Sequence, residues 1–293
     1  MARSRLRKIA DLFGWPDDVR EPSLTAGGGG GVDELLRVLD GYGHTDVGYL
    51  RHHHERFSLT LEEFDGSWDR SRGVRLLDIG AHWLHQSLMW RRAGYEVTAM
   101  DLPVTLDLPS VRAAADGEGI RLVTESDLER CPSLSNLPDD SVNVVLFTEI
   151  IEHITFNPVH FWSEVYRVLM PGGRIVITTP NYYSWFGRAW DFRRFRTGFG
   201  GGVSVDEVLA TPTYGHHWRE FAMHELIRYF CLLSPDFNVV KIKYVKNYYP
   251  PPVTRGGRMK QALCERIPWL RPNLHLEIEL PAKQAGIVVK PGW

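Results

Sequence analysis

Carboxylates and histidines meet at one short spacing in this sequence. The stretch "TEIIEH" places Glu149, Glu152 and His153 at positions i, i+3 and i+4, so one helical turn would carry all three on the same side. Farther along, "GHHW" contributes His216 and His217. Such a group can bind a hard or borderline divalent ion. It can equally place a histidine as a general base without any metal, or serve a purely structural role.

A second candidate is the stretch "LLDIGAHWLHQ", in which an apolar run ends in Asp78, Ile79 and Gly80. A strand delivers a cofactor loop in this way, and Gly80 would let the backbone approach a ligand closely. His82 and Leu84 then stand where small residues are usual. They must swing outward or narrow the pocket, so the sequence favours cofactor binding in a reshaped pocket. The alternative is a degenerate fold that no longer binds a cofactor.

Alternating strands and helices must position these residues. From Val74 onward, buried apolar runs alternate with helical patterns, which predicts an α/β fold with a doubly wound, mostly parallel sheet. In such a sheet, ligands bind beyond the carboxyl ends of the strands. Strands are predicted at 74–80, 96–101, 120–127, 141–149, 174–181, 237–245 and 274–280, and helices at 87–94, 110–119, 159–173 (with a Pro-Gly-Gly stop) and 221–233.

The chain divides into three predicted regions. Residues 1–31 form an N-terminal extension that ends in the run Gly27 to Gly31, which cannot hold a fixed conformation cheaply and predicts a flexible link. Residues 32–73 form a helical cap, and residues 74–293 form the main domain. Within the main domain, residues from about 181 to 216 fit no regular element and predict a lid over the site.

Composition excludes several other classes of protein. Lys and Arg number 34 against 36 Asp and Glu, and this balance argues against a protein that coats nucleic acid. Cys131, Cys231 and Cys264 lie far apart, which excludes a cysteine zinc site and favours a reducing compartment. The N-terminus lacks the apolar core of a signal peptide, and no window has the roughly 18 apolar residues of a membrane span. A soluble, cytoplasmic protein is expected.

Several motifs, taken in order, resemble those of the class I S-adenosylmethionine-dependent methyltransferases. The resemblance covers roughly residues 74–233 and rests on "LLDIG", "YEVTAMD", "SDL", "VNVVLFTEIIEHI", "RVLMPGGRIVITTPN" and "GHHWREFAMHEL". It implies a Rossmann-like sheet of seven strands, N-terminal helices, an inserted lid, and S-adenosylmethionine as the cofactor. The implied reaction is an in-line displacement at the sulfonium methyl group, in which the protein positions the acceptor and removes its proton.

The resemblance also implies roles for residues at the strand ends. Asp101, which ends the second strand, would accept hydrogen bonds from both ribose hydroxyls of the cofactor, and Asp127 would meet the adenine edge. The alternative for a strand-end carboxylate is a helix N-cap or a solvated charge. The predicted cofactor-binding residues are Asp78, Gly80, Ala81, His82, Asp101, Leu102, Asp127 and Thr148.

A metal site is implied by a narrower resemblance. Metal-dependent O-methyltransferases of the ubiquinone pathway and of small-RNA 3′ ends use a similar Glu-x-x-Glu-His motif with a later histidine. Glu149, Glu152, His153 and His217 are therefore candidate ligands of Mg²⁺, Mn²⁺ or Zn²⁺. Metal-free members carry a similar "EHI" step, in which the histidine is a base or merely packs. The predicted catalytic residues are His153, Glu152 and His217, where Glu152 orients His153 or completes the metal shell.

Two stretches bear on the acceptor. Residues 182–202 contain eight aromatic residues, four arginines and one acid, and residues 241–271 contain eight Lys or Arg and one acid. Aromatic faces stack on planar or sugar rings, and arginine binds phosphate or carboxylate. A packed lid with solvated arginines would have the same composition. The predicted substrate residues are Tyr182, Tyr183, Trp185 and His216.

The predicted function is O-methylation of a hydroxyl on a small molecule or glycan, in natural-product or cell-surface sugar assembly. An RNA methyltransferase is one alternative, although the balanced charge and the lack of an RNA-binding module make nucleic acid an unexpected partner. A scaffold that has lost methyl transfer is the other. The basic stretch from Lys241 to Arg271 predicts peripheral contact with an anionic membrane. The oligomeric state is left open.

Overall fold

The computed structural model describes residues 31–43, 46–185, 188–190, 202–249 and 252–292. Its strands are β1 (Arg75–Ile79), β2 (Glu96–Asp101), β3 (Arg121–Thr124), β4 (Val142–Thr148), β5 (Leu169–Pro180), β6 (Asn238–Val245) and β7 (Asn273–Leu280). They form one seven-stranded sheet in the order β3-β2-β1-β4-β5-β7-β6. Strands β1 to β5 run parallel, and β7 runs antiparallel to both β5 and β6. The predicted α/β fold with a mostly parallel, seven-stranded sheet is confirmed.

Helices pack on both faces of this sheet, because successive residues of each buried strand point to opposite sides. On one face Leu77 and Phe147 pack with Trp162 and Phe230, and on the other face Leu76 packs with other buried side chains. The helices are α1 (Val32–Gly41), α2 (Val47–Asp65), α3 (His85–Arg92), α4 (Pro103–Leu106), α5 (Pro109–Glu118), α6 (Val159–Val168), α7 (Val205–Ala210), α8 (Met223–Leu233) and α9 (Arg255–Arg266).

Helix α2 is fixed beside the loop that follows β1. Its N-cap is Asp46, whose carboxylate accepts a hydrogen bond from the backbone N–H of Tyr49 at 2.7 Å. Leu50, Phe57 and Phe64 recur every seven residues and are buried on one side of the helix. The ring of Phe64 lies 5.4 Å from that of Trp90 on α3. This packing holds the middle of α2 above the carboxyl ends of the strands.

Two expected elements have different boundaries. The helix predicted at 159–173 ends at Val168, and β5 begins at Leu169 and continues through Pro171. A proline lacks the N–H that a helix needs and tolerates extended backbone, so the Pro-Gly-Gly stop belongs to a strand. The lid, predicted to lack regular structure, contains α7 and short 3₁₀ turns at Arg188–Trp190 and Thr213–Gly215.

Parts of every predicted region lie outside the described residues. These are residues 1–30 of the N-terminal extension, residues 44–45 of the helical cap, residues 186–187 and 191–201 of the predicted lid, and residues 250–251 and 293 of the main domain. In the portion of the chain that is described, no helix is both long enough and apolar enough to cross a membrane.

Candidate active site

A cavity of about 960 Å³ opens at the carboxyl ends of β1, β2 and β4. This is the edge where ligands bind in sheets of this type, and the volume lies at the upper end of the usual range for small-molecule sites. Its roof comes from Tyr49, Arg56 and Phe57 on α2 and from the turn Thr213–Gly215. All eight predicted cofactor residues line it: Asp78, Gly80, Ala81, His82, Asp101, Leu102, Asp127 and Thr148.

The loop after β1 has the left-handed backbone conformation that glycine favours. Gly80 has φ +81°, and a Cβ added there would lie 2.2 Å from Cδ1 of Ile150. His82 and Leu84 also have positive φ, at 49° and 64°. An L-residue with a side chain rarely adopts this region, whereas glycine does so freely. The residues that depart from the usual motif therefore keep its left-handed backbone conformation.

This conformation leads to a prediction for His82. The ring of His82 lies 3.9 Å from the ring of Trp83 and 4.7 Å from that of Tyr49, measured between centroids. We expect His82→Gly to bind S-adenosylmethionine as tightly as the parent protein or more tightly, because glycine relieves the left-handed strain and widens the pocket. Isothermal titration calorimetry measures this affinity. A complete loss of binding would instead make the His82 side chain a ligand of the cofactor.

Asp101 is held rigidly at the end of β2. Its two carboxylate oxygens each accept a backbone N–H, from His82 and from Leu102, both at 2.6 Å. Burial raises the pKa of this carboxyl, and the two N–H donors oppose that shift. A carboxylate can accept about four hydrogen bonds. Asp101 can therefore still accept the two hydroxyls of a ribose while its orientation is fixed by the loop.

Two further strand ends carry polar side chains, the buried Asp78 and the partly buried Thr148. Asp78 accepts a hydrogen bond from the hydroxyl of Ser87 at 2.6 Å, and burial raises its pKa to about 7. Thr148, which ends β4, accepts a hydrogen bond from the amide of Gln86 at 3.1 Å. Gln86 also lines the cavity, but it is not among the cofactor residues predicted from the sequence, because its amide reaches Thr148 only after α3 docks on the sheet.

The loop after β3 is organised by two carboxylates. Asp127 accepts the backbone N–H groups of Glu129 and Arg130 at 3.0 and 3.1 Å, so one of its oxygens caps the following turn. Glu125 is buried and accepts the N–H groups of Ser133 and Leu134 at 2.8 and 3.2 Å. The alternative capping role for Asp127 is thus present, while its second oxygen remains able to meet a ligand.

The expectation that "TEIIEH" forms one helical turn is wrong. Strand β4 ends at Thr148, Glu149 has a left-handed φ of 55°, and a 3₁₀ turn then covers Ile151–His153. Glu149 continues the strand pairing, since its N–H donates to the carbonyl of Thr178 at 2.8 Å. Its carboxylate therefore faces Arg56, 3.5 Å away on α2, rather than His153.

Glu152, His153 and His217 do come together. One potential ligand atom from each lies within 4.8 Å of the others, and no other such group of three occurs among the described residues. Glu149, the fourth predicted ligand, is outside this group. Glu152 is fully buried and does not line the cavity, whereas His153 does.

The environment of His153 favours a neutral imidazole. Its Nδ1 lies 3.0 Å from the carbonyl oxygen of His216, which can only accept, so Nδ1 donates and Nε2 keeps a lone pair. Burial, and the nearby His217, lower the pKa of His153 to about 4. Burial together with the charge of Glu149 raises the pKa of Glu152 well above its ordinary value. Nε2 of His153 lies 4.0 Å from Oε1 of Glu152.

The predicted substrate residues lie apart from the cavity. Tyr182, Tyr183 and Trp185 are exposed and are absent from the cavity lining that the structure describes. His216 is buried, and it serves the site through the carbonyl that accepts from His153. In their place the roof carries Tyr49 and other α2 side chains. No signal in the sequence of α2 marks these residues, because the roof forms only when α2 docks beside the sheet.

The cavity wall is acidic. Arg56 is the single Lys or Arg among its described lining residues, and it is already paired with Glu149. A positively charged ligand is therefore favoured over a polyanion. The carboxyl groups of the wall belong to Asp78, Asp101, Glu125, Asp127, Glu129 and Glu149.

Part of this chain is similar in sequence to known methyltransferases. Residues 77–177 match the family described as "Methyltransferase domain". The malonyl-[acyl-carrier protein] O-methyltransferase of Serratia marcescens is 34% identical over 108 residues, which are 36% of this chain and 38% of that protein. A probable S-adenosylmethionine-dependent methyltransferase of Mycolicibacterium smegmatis is 38% identical over 79 residues, 27% of this chain and 30% of that protein. The matches thus span well under half of these relatives.

Solved structures share the fold over a larger part of the chain. A chain of the Haloferax volcanii complex between the Trm112 methyltransferase activator and a methyltransferase matches with a TM-score of 0.56 and 18% identity, over 85% of this chain and 97% of that one. The [4+2]-cyclase SpnF matches with a TM-score of 0.51 and 16% identity, over 95% and 96%. At these identities the likeness concerns the fold alone, and a cyclase shows that the fold by itself does not fix the reaction.

Proposed function

We propose that this chain, as a member of the class I S-adenosylmethionine-dependent methyltransferase family, transfers a methyl group to a hydroxyl of an uncharged small molecule or glycan. The observation that carries the proposal is the acidic cavity at the strand ends, with His153 on its wall. The cavity accounts for the cofactor, and His153 accounts for removal of the acceptor proton.

The cofactor half is supported by charge and by the loop after β1. S-adenosylmethionine carries a sulfonium and an ammonium against one carboxylate, so its net charge is positive and suits a wall rich in Asp and Glu. Asp101 would bind the ribose hydroxyls, and the polypeptide near Asp127 and Glu125 would surround the adenine. Gly80 lets this loop pack closely against Ile150, because a Cβ there would meet the side chain of Ile150.

The acceptor half lies beside His153. Methyl transfer is an in-line displacement, so an acceptor oxygen must stand opposite the sulfonium and lose its proton as the bond forms. Nε2 of neutral His153 would take that proton, and the hydrogen bond from Nδ1 to the carbonyl of His216 would fix the ring. Oε1 of Glu152 lies 4.0 Å from Nε2 of His153, so Glu152 acts as a positioning residue for the imidazole.

A divalent metal is a second arrangement of the same site. Glu152, His153 and His217 offer one carboxylate and two imidazoles at ligand spacing, a donor set that suits Zn²⁺ or Mn²⁺ with an open position. A bound ion would supply Lewis acidity that lowers the pKa of an acceptor hydroxyl. Glu149 would take no part, because its carboxylate pairs with Arg56.

The character of the cavity bears on the acceptor class. An RNA or a phosphorylated acceptor would bring negative charge to a wall whose single Arg is already paired, which disfavours an RNA methyltransferase. A scaffold without cofactor is the other alternative, and the gathering of all eight predicted cofactor residues around one cavity favours the enzyme. Relatives from Serratia marcescens and Pectobacterium atrosepticum methylate malonyl-[acyl-carrier protein] by name. A malonyl carboxylate would bring the same negative charge to this wall, so the cavity favours a hydroxyl acceptor over a carboxylate.

Calorimetric titration with S-adenosylmethionine tests the proposed function directly. We expect one binding event per chain for S-adenosylmethionine and for S-adenosylhomocysteine. ATP shares the adenosine but carries phosphates, so it should not bind to an acidic wall. Transfer of a labelled methyl group is then measured to neutral polyhydroxylated acceptors and to their phosphorylated counterparts, and only the neutral series should be labelled. If neither S-adenosylmethionine nor S-adenosylhomocysteine binds, the proposal is wrong.

A further inference from the structure

Helix α9 exposes the side that a helix in a folded protein usually buries. Met259 is 75% exposed and Leu263, one turn later, is 53% exposed. The buried side of the same helix carries only Gly257 and Cys264. Met259 and Leu263 stand at positions i and i+4 on the outer face, and the described chain leaves more than half of each exposed, so they point to an external apolar partner.

The same outer face is basic. Arg255, Arg258 and Arg266 are exposed and stand three, eight and eleven residues apart, which places them beside Met259 and Leu263 on the helix. Glu265 is the helix's single acidic residue, and its carboxylate accepts a hydrogen bond from Gln261 at 2.8 Å on the flank of the helix. The face therefore combines protruding apolar groups with uncompensated positive charge.

Tryptophans border this face. Trp269 follows α9, is partly exposed and has its ring centroid 6.2 Å from that of Trp190. Trp185 is held next to it, because its backbone N–H donates to the carbonyl of Leu270 and its ring receives Lys260 Nζ at 5.3 Å from the centroid. Indole rings have an apolar body and a polar edge, and they favour the boundary between lipid tails and headgroups.

From this juxtaposition we propose that the outer face of α9, with the bordering tryptophans, binds the surface of a membrane that contains anionic phospholipid. Met259 and Leu263 enter the boundary between headgroups and acyl chains, and the three arginines contact the headgroup phosphates. An acidic protein or a nucleic acid would pair with the arginines, but it would leave the protruding aliphatic and indole groups without an apolar partner. The inference is independent of the proposed methyl transfer.

Co-sedimentation of the whole chain with lipid vesicles tests this inference. We expect binding to vesicles of phosphatidylcholine mixed with phosphatidylglycerol, weaker binding to pure phosphatidylcholine, and a loss of binding as salt is raised. The triple variant Arg255→Gln, Arg258→Gln, Arg266→Gln should lower the partition coefficient on the order of a hundred-fold, at about five-fold for each basic residue. The double variant Met259→Ser, Leu263→Ser should lower it at least roughly ten-fold.

Matched controls use exposed or partly exposed residues elsewhere. Val205→Ser with Leu209→Ser removes two exposed apolar side chains from α7, where Asp206 and Glu207 make the helix acidic. The arginine control replaces Arg37, Arg51 and Arg112 by Gln, which changes the charge equally at sites remote in sequence. Both control variants should partition like the parent chain.

Three outcomes would overturn the inference. The parent chain could fail to bind anionic vesicles, the control variants could lose as much binding as the α9 variants, or the chain could bind RNA or an acidic protein through α9 and no vesicle at all. The comparison of the parent chain on the two kinds of vesicle keeps the test decisive even if one variant does not fold.

Discussion

His153→Ala should lower the rate of methyl transfer by about 10²–10⁴-fold, the usual contribution of a general base. The physical reason is that Nε2 of His153 is the basic atom on the cavity wall whose lone pair is left free by the hydrogen bond from Nδ1 to His216. Affinity for S-adenosylmethionine should change little, because the imidazole acts on the acceptor. Single-turnover assays with saturating cofactor measure the rate, and calorimetry measures the affinity.

A chelator distinguishes the two arrangements of this site. If His153 acts without metal, EDTA should leave the rate unchanged and His217→Ala should have a small effect. If Glu152, His153 and His217 hold an ion, EDTA should abolish activity, Zn²⁺ or Mn²⁺ should restore it, and His217→Ala should be as damaging as His153→Ala. His160→Ala replaces an exposed histidine on α6 and serves as the control. Activity that survives both chelator and His153→Ala would assign the cluster a structural role.

The pH profile gives a further readout of the same residue. The pKa of His153 is lowered to about 4, so the imidazole is neutral above that value and is protonated as pH falls through it. A metal-free base therefore predicts a rate that is flat near neutrality and declines only in acid, instead of declining near the ordinary histidine pKa of about 6.5. His153→Ala should remove that acidic limb.

Asp101→Ala should weaken binding of S-adenosylmethionine by about 2–4 kcal/mol. The two ribose hydrogen bonds to this charged group contribute about 1.5–3 kcal/mol each, and water that enters the vacated space recovers part of their sum. This net loss corresponds to a rise in Kd of roughly thirty-fold to nearly a thousand-fold. The variant also leaves the N–H groups of His82 and Leu102 without their acceptor, so part of the loss comes from loosening of the loop.

Two comparisons separate these contributions to the Asp101 result. Asp107→Ala removes an exposed carboxylate that pairs with Arg112 a short distance along the chain, and its Kd should equal that of the parent protein. Asp101→Asn keeps an oxygen acceptor for one loop N–H but loses the charge. Its Kd should therefore fall between the Kd of Asp107→Ala and that of Asp101→Ala. Unchanged affinity in Asp101→Ala would show that the ribose is bound elsewhere.

Much of this molecule follows from local sequence patterns. Apolar runs alternate with helical segments over five parallel strands, and the runs of β1, β2 and β4 carry a polar residue at or next to their last position. Because side-chain direction in a strand alternates and parallel strands share one carboxyl edge, Asp78, Asp101 and Thr148 were predictable as cavity residues before any tertiary contact was known. The left-handed backbone at Gly80 follows from the same logic, since that turn favours glycine.

Other features depend on contacts between segments that are distant in the chain. The spacing of Glu149, Glu152 and His153 suggested a single helical turn, but pairing of Glu149 with the backbone of Thr178 on β5 extends the strand and turns its carboxylate toward Arg56. The boundary between α6 and β5 was likewise set by strand pairing, which outweighs local helical preference. Only the tertiary structure placed α2 over the cavity, because packing of Phe64 on Trp90 decides which helix face meets the site, and no local pattern encodes that contact.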